Sequence, residues 1–135
     1  MQSRDVPHIH SMTPLHAIRL AMMGGVLLFG GVSWFLHRTP DWTPADPAVV
    51  AQLATVGRVM WLVAGIGLVI LFFRFRDAAN PGQASTLAIL AWALGESVAL
   101  FGGVVFFLTA AAAWYVAGVV ALTIAFVAFP PPVNR

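Results

Sequence analysis

The stretch from Thr86 to Thr109, TLAILAWALGESVALFGGVVFFLT, decides the fold class of this protein. It carries a single charge, the carboxylate of Glu96, near its middle. An uninterrupted apolar run of this length predicts a membrane-spanning helix. A carboxylate at bilayer depth is costly enough to suggest a function. The stretch therefore predicts a transmembrane helix with one unusual acidic group.

The composition of the whole chain predicts the same environment. Of its 135 residues, 60% are hydrophobic and 9% are charged, whereas soluble domains contain about 25% charged residues. The chain has too few charges to cover a surface that faces water, so we expect an integral membrane protein. The absence of cysteine excludes disulfides and thiolate metal sites. A formal net charge of +2 is too small for a nucleic-acid footprint.

Proline-containing turns divide the remaining sequence into further apolar runs. Together with the stretch above, they predict an all-α integral membrane protein: one domain, residues 1–135, built as a four-transmembrane-helix bundle. The predicted spans cover about residues 15–37, 48–73, 86–109 and 111–129.

The arginines predict how this bundle is oriented. With four spans, both chain ends lie on one side of the membrane. The arginines on that side are Arg4, Arg19, Arg74, Arg76 and Arg135, and those on the other are Arg38 and Arg58. By the positive-inside rule both termini are cytoplasmic. We expect a multi-pass protein of a bacterial-type inner membrane.

Two pairs of similar segments suggest an internal duplication. Residues 28–36 read LFGGVSWFL and residues 100–108 read LFGGVVFFL. Residues 61–65 read WLVAG and residues 114–118 read WYVAG, in the same order. These matches favour a duplicated two-helix unit, whose halves would be two parallel repeats about an axis normal to the membrane.

Small residues mark the faces where helices can approach closely in a membrane. Gly95, Ala99 and Gly103 share one face of span three, and four alanines recur at every fourth residue of span four. The predicted helix-packing residues are Gly25, Gly30, Gly95, Ala99, Gly103, Ala113, Ala117, Ala121 and Ala125.

Two interpretations of Glu96 follow from the residues. Arg58 in span two lies at a similar predicted depth, and charges buried in membranes usually pair. The two side chains would then form a buried ion pair that fixes spans two and three against each other. Alternatively, Glu96 binds an ion.

The sequence around Glu96 also resembles a known family. Residues 93–105, ALGESVALFGGVV, are similar to the carboxylate helix of the rotor-ring proteolipid subunits of ATP synthases. The matching positions are Ala93, Leu94, Glu96, Ala99, Leu100, Phe101 and Gly102. The preceding polar loop, with Arg76 and Asn80-Pro81, resembles that family's loop. The resemblance is limited to span three and this loop, and it implies that Glu96 is an ion-binding carboxylate.

These features favour a small non-catalytic accessory or assembly subunit of a larger respiratory, photosynthetic or transport complex in the membrane. The alternative is a proteolipid-like proton or cation carrier that uses Glu96. We expect no enzyme, because the sequence shows no nucleophile with a base, phosphate loop or metal cluster.

The expected partners are the lipid bilayer and either other membrane subunits or further copies of the chain, without nucleic acid. We predict no metal and no cofactor. His8 and His10 lack a third ligand at a recognisable spacing. His16 and His37 could contact a pigment or haem, but such interfacial histidines are usually amphipathic anchors.

Overall fold

Four helices make up the protein in the computed structural model, which describes residues 14–131. They are α1 (Pro14–Leu36), α2 (Pro47–Arg76), α3 (Pro81–Thr109) and α4 (Ala113–Ala128), and the described residues form no strand. The prediction of an all-α fold of four helices is confirmed.

Proline and a polar capping residue start both long helices. Asp46 precedes Pro47, and its Oδ1 accepts a hydrogen bond of 2.7 Å from the backbone N–H of Ala48. Asn80 precedes Pro81, and its Oδ1 accepts one of 2.9 Å from the backbone N–H of Gln83. These bonds satisfy backbone donors that have no partner inside the helix. The Asn80 cap starts α3 five residues before the span predicted from residue 86.

The other ends of the long helices differ in chemistry. Helix α2 runs past the predicted end at residue 73, and its last turn carries Arg74 and Arg76, cations that favour the negative end of a helix. Helix α3 ends at Thr109, and the next residue, Ala110, caps it in a left-handed conformation with φ 58°. This residue turns the chain sharply into α4, which starts at Ala113, two residues later than predicted.

The helices run alternately up and down, and α3 lies at the centre. Its packing partners are α4, α2 and α1, and α1 also touches α4. The core contains nine buried residues, four of them on α3: Val26, Ala88, Ala91, Trp92, Ala99, Leu122, Ala125, Phe126 and Phe129. Helix α3 is therefore the element on which the others assemble.

The four helices differ in their capacity to cross a bilayer. Helices α1, α2 and α3 have 23, 30 and 29 residues and are long and apolar enough to do so. Helix α4 is apolar but has only 16 residues, a length of about 24 Å against a hydrocarbon core of about 30 Å. Three helices therefore qualify as spans by length, and the fourth is short.

The suggested duplication is not reflected in the packing. Helix α3 packs along α4, which follows it in the chain, whereas α1 packs on α3 and α4 rather than along α2. If the two halves were structural repeats, α1 and α2 would pair as α3 and α4 do. The duplication stays a hypothesis about the sequence.

Candidate functional site: two charges on opposite sides of α3

Glu96 lies at the edge of the exposed side of α3. The side chain is partly buried, and its neighbours Ala93, Ser97 and Leu100 are exposed. Gly103 follows Glu96 by seven residues and therefore lies on the same side of the helix, where a Cβ would stand 2.7 Å from the Phe29 ring of α1. Glu96 is thus placed between the α1 contact and the exposed surface.

Helix α2 packs on the opposite side of α3. Gly67 of α2 faces Leu94, and Gly57 faces Phe101. Glu96 comes two residues after Leu94, which rotates it by about 200° around the helix axis. The Glu96 side chain therefore points away from α2.

Arg58 lies on α2, in a groove between α2 and the start of α4. The residues that line this α2–α4 groove are Arg58, Trp61, Leu62, Ala113, Trp114 and Ala117, and its volume is about 600 Å³. Arg58 is exposed. The groove is open and almost entirely apolar, apart from the guanidinium.

The start of α4 adds to the positive character of this groove. Ala112 occupies the N-cap position and supplies no side-chain hydrogen bond. A helix N-terminus carries a partial positive charge. Arg58 and Ala113, the first residue of α4, both line the groove, so the groove favours an acidic group.

The ion pair expected between Glu96 and Arg58 does not form in this structure. Within residues 14–131, neither side chain has an ion pair or a hydrogen bond. The physical reason is that Glu96 points away from α2. The similar predicted depth of the two residues in the membrane gives no information about this rotation. Two opposite charges therefore lie on different faces of one bundle.

Arg19 forms a contact that sequence analysis missed. Its guanidinium donates a hydrogen bond of 2.9 Å to the carbonyl of Phe126 and lies over the rings of Trp92 and Phe126, 5.3 and 4.8 Å from their centroids. The Trp92 indole donates to the carbonyl of Phe129 at 3.1 Å. These bonds satisfy carbonyls at the end of α4 and join α1, α3 and α4. Because Arg19 and Phe126 are 107 positions apart, no local pattern signals the contact.

His37 makes a second aromatic contact, at the opposite end of the bundle. Its Nε2 lies 3.0 Å from the carbonyl of Phe107, and its ring meets Trp42 and Phe106 edge-on at 4.5 and 4.8 Å. Because a carbonyl oxygen only accepts hydrogen bonds, Nε2 is the donor in this contact. Nδ1 is buried without a hydrogen-bond partner. His37 thus holds the end of α1 against the end of α3.

Besides His37, the described residues contain one histidine, His16. His16 is exposed, and His8 and His10 lie outside the described residues. Among the described residues, no group of three or more histidine or acidic side chains is placed to hold a metal ion.

Most of the predicted small packing residues on α1 and α3 lie at helix contacts. A Cβ on Gly30 would overlap the Tyr115 side chain, and one on Gly95 would stand 3.1 Å from the Cα of Leu122. Ala99 is fully buried. Gly25 is the exception, because a Cβ there would meet nothing within 4 Å.

Only one of the four alanines predicted as a packing stripe on α4 is fully buried within the described bundle, so packing of the others on a further helix stays a prediction. Ala113 and Ala117 are exposed, Ala121 is partly buried and Ala125 alone is fully buried. A strict spacing of four residues rotates by about 40° at each step, so Ala113 and Ala125 face different directions. The observed packing residues of α4 follow the spacing of three and four instead: Gly118, Leu122, Ala125 and Phe126.

Gly102 and Gly118, which the sequence analysis did not select, allow the closest approach of two helices. A Cβ on Gly102 would overlap the backbone carbonyl of Trp114, and one on Gly118 would reach the Cα of Ala99. The repeated LFGG sequence, which contains Gly102, was the signal that could have identified it.

No protein-family model matches the chain, and comparison with curated proteins and with solved structures finds no match. The resemblance of α3 to the rotor-ring carboxylate helix therefore stays a prediction.

Proposed function

We propose that this protein is a multi-pass membrane protein that acts as a non-catalytic accessory or assembly subunit of a larger membrane complex. The observation that carries the proposal is the pair of charges, Arg58 and Glu96, on apolar helices without a partner in the described part of the chain. A charge at bilayer depth is costly when it is alone, and partner groups remove that cost. Association with other membrane chains supplies such groups.

The exposed surface of α2 supports the same role. Only Gly57 and Ala64 are buried on this 30-residue helix. Its exposed surface carries bulky apolar side chains along most of its length, including Leu62, Val63 and Phe73, which are 60 to 66% exposed. Such a surface suits lipid or the helices of another subunit.

Purification in mild detergent tests the proposal. An affinity-tagged chain should co-isolate with larger membrane subunits, and a variant with Arg58→Gln should recover less of them. Arg38→Gln is the matched control, because Arg38 lies outside the helices in the loop after α1. Isolation of the wild-type chain without any other subunit would contradict the role.

The proposed orientation has both termini in the cytoplasm. Reporter fusions at Asp41, in the loop between α1 and α2, and at Asn134 should report opposite sides of the membrane. The same side for both would contradict four crossings and point to a short α4 that does not span.

A second candidate function is a proton or cation carrier that uses Glu96. The observation in favour of this function is that Glu96 lies beside exposed residues of α3 and outside the core. A carboxylate that exchanges an ion must be accessible in this way. Labelling by dicyclohexylcarbodiimide, abolished by Glu96→Gln along with proton flux into vesicles, would favour this function over an assembly role.

A further inference from the structure

We infer that the chain associates with further copies of itself, head to tail, through an ion pair between Arg58 of one copy and Glu96 of the next. The inference rests on the proposed assembly role and names its first partner. It starts from the charges, because one chain carries both members of a complementary pair and does not join them internally.

The geometry makes the two charged faces available to different neighbours. Leu94 and Phe101 direct one side of α3 to α2, and Glu96 lies on the other side. Arg58 lies beyond α2, in the groove that α2 forms with α4. A contact that joins two different faces is heterologous, so each copy keeps one free face and can bind another neighbour.

The depths of the two groups agree closely enough for a contact. Glu96 lies between Leu94 and Phe101, which face Gly67 and Gly57; interpolation places it beside residue 64 of α2. Arg58 is six residues away, about 9 Å along the helix. The combined lengths of an arginine and a glutamate side chain can span that difference.

Small exposed residues lie on both surfaces, beside Glu96 and in the groove that contains Arg58. Exposed small residues, Ala93 and Ser97, flank Glu96 on α3. The exposed Ala113 and Ala117 of α4 are among the residues that line the α2–α4 groove. Small side chains on both surfaces permit the close backbone approach on which helix association in membranes depends. The uncapped start of α4 adds a partial positive charge for the incoming carboxylate.

Cysteine cross-linking in native membranes tests this arrangement, because the natural chain contains no cysteine. Ser97→Cys labels the exposed side of α3, and Leu62→Cys labels the α2–α4 groove. Co-expression of the two variants should give a disulfide-linked dimer on oxidation, and neither variant alone should do so. A chain with both substitutions should give a ladder of higher oligomers.

Charge exchange then identifies the groups responsible. Arg58→Glu and Glu96→Arg should each lower the cross-link yield by about tenfold or more, because each places like charges opposite one another. The double substitution should restore the yield among its own copies. Arg38→Glu should leave the yield unchanged.

Several results would overturn the inference. The inference fails if Ser97→Cys alone forms a disulfide-linked dimer, or if the mixture of the two variants forms none. It also fails if neither charge reversal changes the cross-link yield. If anionic lipid protected the Leu62→Cys variant from thiol reagents and no cross-link formed, the groove would be assigned to lipid instead. Continued co-isolation of larger subunits without the cross-link would remove this inference and leave the proposed function. A cross-linked homomer that co-isolates with no other subunit would support the self-association and contradict the accessory role.

Discussion

Helices α2 and α3 are similar in length and both strongly apolar, yet their surroundings differ greatly. Half of the most apolar window of α3 is buried, against 11% of that of α2, although α2 has the higher mean hydropathy, 2.2 against 1.8. In water, the more hydrophobic helix would be expected at the centre of the fold. In the membrane, where we propose that this protein lies, that preference is absent, and close contact between small residues decides the packing.

The distribution of glycines illustrates this difference. On α3, a Cβ on Gly95 or Gly102 would meet backbone atoms of α4, whereas on α2 a Cβ on Gly57 or Gly67 would meet only side chains and Gly65 faces open space. The glycines of α3 therefore let a neighbouring backbone come close, and those of α2 do not. The central position of α3 therefore follows from its shape more than from its hydrophobicity.

Truncation of a leucine should give the largest difference in unfolding free energy between the packed surface of α4 and the exposed surface of α2. Leu122 of α4 is fully buried against α3, whereas Leu62 of α2 is 66% exposed. Leu122→Ala should lower the free energy of unfolding by about 2–4 kcal/mol, because it leaves a cavity, and Leu62→Ala should cost less than about 0.5 kcal/mol. Unfolding by SDS titration in mixed micelles measures both. Equal losses would mean that the α2 surface is also packed.

Substitution of glycine by alanine should have different effects on stability at a helix contact and on an open surface. Gly102→Ala should cost about 1–3 kcal/mol, because the Cβ overlaps the Trp114 backbone, which cannot move aside easily. Gly65→Ala should be neutral or stabilise the helix by up to about 1 kcal/mol, since alanine has the higher helix propensity. Thermal unfolding followed by circular dichroism in detergent compares them. A stabilised Gly102→Ala would contradict the described approach of α3 and α4.

Removal of a guanidinium should lower the free energy of unfolding more at Arg19, which joins α1 to α3 and α4, than in the loop after α1. Arg19→Met keeps the apolar stem but loses the hydrogen bond to Phe126 and the contact with two rings, so we expect a loss of about 1–2 kcal/mol. Arg38→Met loses only a contact over the Trp34 ring and should cost about 0.5 kcal/mol. The same SDS titration measures both variants. Equal losses of stability would mean that the Arg19 contacts do not stabilise the packing of α1 on α3 and α4.

The smallest expected effect concerns the hydrogen bond that joins α4 to α1. The hydroxyl of Tyr115 donates to the carbonyl of Val26 at 2.9 Å. Tyr115→Phe should cost about 0.6 kcal/mol, as is usual for a hydrogen bond between helices in a membrane. Thr123→Val is the control, because the Thr123 hydroxyl bonds only within its own helix. Hydrogen exchange at the start of α4 should rise in the tyrosine variant alone.

The sequence by itself determined the helical fold and most of its boundaries. Apolar runs of sufficient length form helices in lipid because every backbone polar group must be satisfied within the segment. Pro47 behind Asp46 marked the start of α2, whereas α3 starts at Pro81, five residues before the predicted span. Glu96 and Arg58 were also recognisable from the sequence, since charges in apolar runs are rare.

Only the tertiary structure decided which faces meet. Similar depth predicted a pair between Glu96 and Arg58, but the rotation of α3 places Glu96 on the side away from α2. Likewise, the clamp of Arg19 joins residues distant in the chain, and the regular alanines of α4 proved largely exposed. The physical reason is that a helix that is apolar on all sides has no polar side to reveal its orientation. Its rotation is set by contacts between small residues on separate helices, and a single sequence does not encode those contacts as a local pattern.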